Sequence, residues 1–189
     1  KGAIAPGYLA DFVILDNFRN FEIQRVIKKG KLVFEAGRLL DISRPAVAPE
    51  LEAKARDTFH LPEISPALLR RDKPLGRLRL IPGELITENM GYAAGVDTEN
   101  DILKICVAER HHATGHIGVG YLTGYGLKEG AVATSIAHDS HNIIAVGAGD
   151  EDLALAMNRV RALGGGIVVA RAGEILAEVP LPIAGLISD

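Results

Sequence analysis

The 189-residue sequence contains one cysteine and no tryptophan, and aromatic residues make up only 5% of it. A single cysteine excludes an intrachain disulfide and any zinc site built from several cysteines. Cys106 lies in the apolar run Ile102–Val107, so we expect its thiol to be buried in packing. The scarcity of aromatic side chains predicts a core of Ile, Leu, Val and Ala, which a chain that is 48% hydrophobic can supply.

Long apolar runs are also missing. No run approaches the ~18 residues of a membrane-spanning helix, and no secretory signal pattern is visible. Together with the lone cysteine, these features predict a cytoplasmic protein without a membrane partner. Residues 79–189 carry more acidic than basic side chains, which argues against a nucleic-acid partner. Because the chain starts at Lys1 in a strand-like segment, we expect it to begin inside a larger protein.

Three regions follow one another along the chain: residues 1–40, 41–78 and 79–189. The first contains short strand-like runs and a predicted hairpin, with Val26–Ile27 and Leu32–Phe34 as its arms. Forty residues with three short strands rarely fold alone, so we expect this piece to need strands from elsewhere. The second region contains five prolines and is predicted to be a connector over other surfaces, with a short helix at Glu50–Phe59.

The third region is predicted to be the main folded unit. Its clearest helix covers Asp150–Leu163, with Asp150 as the N-cap and Gly164 as the stop. A hairpin of Gly166–Ala170 and Glu174–Val179 follows. Further strands are predicted in four apolar segments: Asp101–Arg110, His116–Tyr121, Ala131–Ala137 and Asn142–Val146. This pattern predicts an α+β fold in which one clear helix covers a mainly antiparallel sheet.

Five of the six histidines lie between His111 and His141, and four of these are in two polar clusters at residues 109–112 and 138–142. Each cluster follows an apolar strand-like run, and functional groups are often placed where rigid strands end. We therefore predict that the clusters meet at one edge of the sheet. The candidate catalytic residues are His111, His112, His138, Asp139 and His141. A structural role, in which the imidazoles hydrogen-bond backbone and stabilise the turns, is the alternative.

Other chemistries are disfavoured by spacing. His138 and His141 would point to opposite faces of a regular strand, and the chain has neither a His-x-His nor a His-Glu-x-x-His pattern. Ser140 between an aspartate and a histidine is better explained as a polar turn than as a catalytic triad. The glycines at 118 and 120 do not match a dinucleotide fingerprint, and Gly164–Gly166 is predicted to be a helix stop. We expect no cofactor or metal site in this chain.

Two stretches resemble known families. Gly2–Asp16 is similar to the segment of amidohydrolases that leaves the catalytic barrel and adds strands to a small β-sandwich. Asp101–Gly126, Ala131–Gly147, the Asp150–Gly166 helix and Leu181–Asp189 resemble the C-terminal domain of adenine deaminases. The resemblance implies the end of a β-sandwich at 1–40 and an adenine deaminase C-terminal domain at 79–189, joined by the connector 41–78.

The resemblance also implies an activity for the parent enzyme, which is the hydrolysis of adenine to hypoxanthine and ammonia in purine salvage. A binuclear manganese or iron centre in the missing barrel would activate the attacking water. The implied partners are adenine and that barrel, and a homo-oligomer stays open. We expect this chain alone to be inactive. The alternatives are a non-catalytic assembly module or a small-molecule-binding module of another amidohydrolase.

Overall fold

The computed structural model describes residues 2–40 and 46–188, which divide into two units, Lys1–Val47 and Ala48–Asp189. Two α-helices and twelve strands lie within the described residues. The predicted α+β fold is confirmed. The part of the predicted connector at residues 41–45 lies outside the described residues, and the division into three functional regions stays a prediction.

The first unit is a four-stranded antiparallel sheet. Its strands are β1 (Phe12–Leu15), β2 (Ile23–Lys28), β3 (Lys31–Glu35) and β4 (Arg38–Leu39), and they lie in this order across the sheet. The predicted hairpin is confirmed as β2–β3, whose turn places Lys29 and Gly30 at φ 49° and 76°. No residue of 2–40 is buried, and Val13 is 58% exposed. The side chains of this piece are exposed or partly exposed, as expected of strands that look unfinished, and their pairing with strands from elsewhere stays a prediction.

The second unit begins with α1 (Pro49–Arg56), whose first turn contains the proline at helix position one. The predicted helix is confirmed, although it ends at Arg56 instead of Phe59. A single 3-10 turn follows at Pro66–Leu69. Leu61, Ile64 and Leu69 are buried in the main hydrophobic core, so this segment contributes to the core as well as covering it.

An eight-stranded sheet forms the centre of the second unit. Its strands are β5 (Leu75–Leu80), β6 (Thr87–Ala93), β7 (Leu103–Ala108), β8 (Ile117–Thr123), β9 (Ala131–Thr134), β10 (Ile143–Gly147), β11 (Gly166–Arg171) and β12 (Glu174–Pro180). The order across the sheet is β12-β11-β9-β10-β7-β8-β5-β6. Neighbouring strands are antiparallel except β5 and β8, which run parallel. The ends of β7 and β9 and the starts of β8 and β10 therefore lie at the same end of the sheet.

Helix α2 (Asp150–Ala162) covers one face of this sheet. Its apolar stripe is buried, with Leu153, Ala156, Met157 and Val160 in the main core. The helix ends before Gly164, which adopts a φ of 69°, so the interpretation of the glycine run as a helix stop is confirmed. The thiol of Cys106 is also in this core, and burial raises its pKa to about 12.

The predicted N-cap of α2 is wrong. Gly149 occupies the cap position without a side-chain hydrogen bond, and Asp150 is the first residue of the helix. The carboxylate of Asp150 instead pairs with the ammonium group of Lys104, whose side chain is 9% exposed. A buried ammonium group needs a counter-ion, and a carboxylate in the first turn of a helix also interacts well with the helix dipole. Both effects place Asp150 inside the helix.

Candidate functional site

Two histidine-rich loops meet at one end of the eight-stranded sheet. We call them the histidine loops: residues 109–116, which join β7 to β8, and residues 135–142, which join β9 to β10. Since β7 and β10 are paired neighbours, the end of β7, where the first loop begins, lies beside the start of β10, where the second loop ends. The Nε2 atom of His111 lies 2.9 Å from the carbonyl oxygen of Ser140, and Arg110 Nε donates to the carbonyl oxygen of His141 at 2.5 Å. The prediction that the two clusters meet is confirmed.

The first histidine loop is organised around the carboxylate of Glu109. It accepts hydrogen bonds from the backbone N–H groups of His111, His112 and Thr114 and from the Thr114 hydroxyl, the last at 2.9 Å. Partial desolvation raises the pKa of Glu109, but these four hydrogen bonds together outweigh it and lower the pKa to about 2. Glu109 is therefore ionised at neutral pH and acts as the acceptor that shapes this loop.

The second histidine loop is a tight polar turn. Asp139 and His141 adopt left-handed backbone conformations, with φ of 64° and 48°. The N–H of His141 donates to Ala137 O at 2.8 Å, and the N–H of Asn142 donates to Ser140 Oγ at 3.4 Å. The interpretation of this segment as a polar turn is confirmed. Asp139 lies beside His138, whose Nδ1 atom is 3.3 Å from Asp139 Oδ1, so Asp139, Ser140 and His141 do not form a triad.

The candidate catalytic residues are mostly exposed. The rings of His111 and His112 are 6.2 Å apart, and the side chains of His138 and Asp139 are 79% and 88% exposed. Within residues 2–40 and 46–188, no three His, Cys, Asp or Glu side chains are close enough together to hold a metal ion. The histidine loops therefore do not fit a metal centre, and we derive no chemical step through a metal here. Their catalytic role stays a prediction.

A small cavity lies beside the first histidine loop. It is lined mainly by apolar residues, among them Leu61, Ile64, Ala108 and Ile117, and its volume is 20 Å³. That volume holds about one water molecule, whereas pockets for small ligands measure about 300–1,000 Å³. The cavity cannot hold a purine, which disfavours a small-molecule-binding role for this part of the histidine loops.

Arg110 is the site residue whose role sequence reasoning missed. Its side chain is 2% exposed, and its Nη1 and Nη2 atoms donate to the carbonyl oxygens of Thr58 and Ala184 at 2.6 and 2.9 Å. The signal was present in the alternation of β7, because Cys106 and Ala108 face the helix-covered side and Arg110 continues that series. An arginine is seldom buried, and Arg110 was not singled out as a core residue from the sequence.

The last described residues form a turn, residues 181–188, beside the histidine loops. Ser135 Oγ donates to Gly185 O at 2.5 Å and accepts the N–H of Gly166 at 2.9 Å. The N–H of Ala184 donates to Ala55 O at 2.6 Å, which joins this C-terminal turn to the end of α1. The C-terminal turn, the histidine loops and the residues after α1 are thus in mutual contact.

Comparison with known proteins identifies a family that matches this chain. A family model described as the adenine deaminase C-terminal domain matches residues 84–189. The whole chain is 41% identical to "Adenine deaminase 2" of Carboxydothermus hydrogenoformans and 42% identical to "Adenine deaminase" of Bacillus velezensis. It is also 40% identical to "Adenine deaminase" of Brucella melitensis. The matches extend over all of this chain but only 34%, 34% and 33% of those three relatives, so it spans about a third of their length.

Proposed function

Since this chain belongs to the adenine deaminase C-terminal domain family, we propose that it is the C-terminal accessory part of an adenine deaminase. The parent enzyme would convert adenine and water to hypoxanthine and ammonia. The observation that carries the proposal is the match of the whole chain to one third of proteins named adenine deaminase. The core-less sheet of residues 2–40 supports it, because exposed apolar strands of this kind need further strands to cover them.

The reacting groups belong, in this proposal, to a barrel elsewhere in the parent enzyme. A manganese or iron pair in that barrel would supply the activated water. The donor side chains of the present chain do not converge on a metal position, as described for the histidine loops. In this proposal the barrel carries out the reaction, and the present chain shapes or shields the surroundings of the barrel's active site.

The first test is an activity assay of the isolated chain. We expect no formation of hypoxanthine from adenine with added manganese, because no group of donor side chains among the described residues can hold a metal ion that would activate water. The full-length enzyme, assayed under the same conditions, is the positive control. Turnover by the isolated chain clearly above a protein-free blank with the same metal would contradict the proposal.

The histidine loops are the part of this chain that we propose to act near the barrel. Their exposed imidazoles sit on rigid strand ends, where they can order a mobile loop or exclude water from a neighbouring site. Replacing His138 with Asn and His141 with Gln in the full-length enzyme is expected to lower kcat while the melting temperature stays constant. His60→Gln is the matched control, because His60 is outside the histidine loops. Unchanged kcat with lower stability or altered assembly would favour the assembly-module alternative.

A further inference from the structure

Arg110 is a buried cation held by neutral groups. Its guanidinium donates to three carbonyl oxygens, those of His141, Thr58 and Ala184, and to the Thr58 hydroxyl at 2.9 Å. The guanidinium carbon lies 4.2 Å from the centre of the Phe59 ring. In the part of the chain that the structure describes, Arg110 forms no ion pair with a carboxylate. Burial lowers the pKa of Arg110, as expected for a cation removed from water without a counter-charge.

This arrangement is stable only while all of its acceptors are in place. A buried guanidinium N–H that loses its carbonyl partner has no water to replace it, and such a loss is costly for a charged donor. The planar fork of arginine presents donors on three nitrogen atoms in a fixed geometry, whereas the donors of a lysine ammonium group share one nitrogen and cannot span the same acceptor positions. The position of each acceptor therefore depends on the positions of the other two.

The three acceptors belong to three separate segments of the chain. Thr58 follows α1, His141 ends the second histidine loop, and Ala184 lies in the C-terminal turn. The backbone also packs closely at this point: a Cβ atom on Gly185 would lie 2.9 Å from the Phe59 ring and 3.2 Å from Arg110 Nη2. Glycine at position 185 allows the C-terminal turn to approach Arg110 this closely, and a turn that moves away leaves Nη2 without its acceptor.

We propose that Arg110 is a positioning residue that couples the second histidine loop to the C-terminal turn. When the turn is docked, Arg110 holds the backbone of His141 and with it the imidazole-bearing loop. When the turn leaves, the guanidinium reorganises and the loop loses its anchor. The coupling itself stands on the contacts of Arg110 alone, and only its effect on turnover rests on the proposed function of the histidine loops.

Hydrogen exchange on the isolated chain tests the coupling. The reporters are the amides of His141 and Ile187, which donate to Ala137 O and Ile183 O. In Arg110→Lys we expect both to exchange about tenfold faster or more, since each segment loses a hydrogen bond to a buried charged group. The amides of β7 should be unchanged. Arg161→Met is the control, because Arg161 Nε donates to a single carbonyl oxygen, that of Leu61, which belongs to neither the second histidine loop nor the C-terminal turn.

A second variant tests the coupling through a change in the C-terminal turn instead of at Arg110. Gly185→Ala places a Cβ atom against the Phe59 ring and Arg110 Nη2, which displaces the C-terminal turn, and we expect it to raise exchange at His141 as well as at Ile187. If it does so only at Ile187, or if Arg110→Lys affects only one of the two amides, the coupling is overturned. Because Gly185→Ala keeps the arginine at position 110, exchange in this variant still tests the coupling if an Arg110 variant fails to fold.

Turnover of the full-length enzyme separates this proposal from the proposed function. Arg110→Lys is expected to lower kcat with little change in KM, because the loop is displaced without loss of a substrate contact. If the exchange results show coupling but kcat is unchanged, the positioning role of Arg110 stands and the role of the histidine loops in the enzyme fails. Absence of coupling in the isolated chain overturns the positioning role whatever the turnover shows.

Discussion

Glu109 is a single residue on which the first histidine loop depends. Four donors stabilise its ionised form, and its pKa of about 2 is below the ~4.3 of an unfolded glutamate. A carboxyl group with a lower pKa in the folded state stabilises the fold above its unfolded pKa and loses that effect as the pH falls towards its folded pKa. We therefore expect the loop to loosen between about pH 4 and pH 2, as measured by exchange or by NMR of the His112 and Thr114 amides.

Glu109→Gln isolates this effect. A glutamine side chain keeps one acceptor oxygen but replaces the other with an N–H₂ group, which would face backbone donors. We expect the variant to show the loosened loop already at pH 7, without a further change on acidification. Glu84→Gln, at an exposed position in the turn between β5 and β6, is the control. A loop that responds to acid equally in the parent and in Glu109→Gln would show that another group is responsible.

At the scale of an element, α2 is attached to the sheet through the ion pair of Asp150 and Lys104. The Lys104 ammonium group also donates to Leu69 O at 3.1 Å, so it joins the helix start to the 3-10 turn. Asp150→Ala would leave a buried ammonium group without its counter-ion, and we expect it to lower the free energy of unfolding by about 3 kcal/mol. Urea denaturation monitored by circular dichroism measures this change.

Two comparison variants make the Asp150 prediction specific. Glu178→Gln breaks the exposed pair with Arg159, whose two bonds are 2.6 and 2.7 Å long, and should have a much smaller effect because water screens that pair. The double variant Lys104→Met with Asp150→Ala removes both charges and should recover part of the lost stability. Equal losses for Asp150→Ala and Glu178→Gln would contradict the importance of burial.

Elements formed by local pattern were predictable from the sequence, and those formed by distant pairing were not. The α2 stripe follows a 3.6-residue period, and the β2–β3 hairpin has its own turn residues, so both were found. Strand β5 pairs in parallel with β8, with Arg77 opposite Tyr121, so no short segment of the sequence contains both partners. Likewise the histidine loops could be located from the strands before them. The contacts of Arg110 with residues 58 and 184 could not, because no short segment of the sequence contains these partners together.

At the scale of the whole molecule, the two units differ in how their backbones are protected. Residues 2–40 contain no buried side chain, whereas the core of the second unit includes fully buried residues such as Leu153, Met157 and Val160. Because opening free energies follow buried contacts, we expect the amides of β1–β4 to exchange far faster than those of β7 and β10 in the isolated chain.

The same amides in the full-length enzyme provide the decisive comparison. If further strands cover the sheet of residues 2–40 there, protection of β1–β4 should rise towards that of the second unit. Protection of β7 and β10 should change little, since their core is already complete. Equal protection of both units in the isolated chain would show that residues 2–40 are stable without added strands.

The hydrogen bond between Ala184 and Ala55 has a topological consequence for protein engineering. It brings the C-terminal turn beside α1, so these two segments can be joined by a short linker. The exposed turn at Pro82–Leu85, where Leu85 is 91% exposed, is then a suitable position for new termini. The second unit is accordingly suited to circular permutation. We expect its sheet, helix α2 and histidine loops to keep their structure when the order of the segments along the chain is changed.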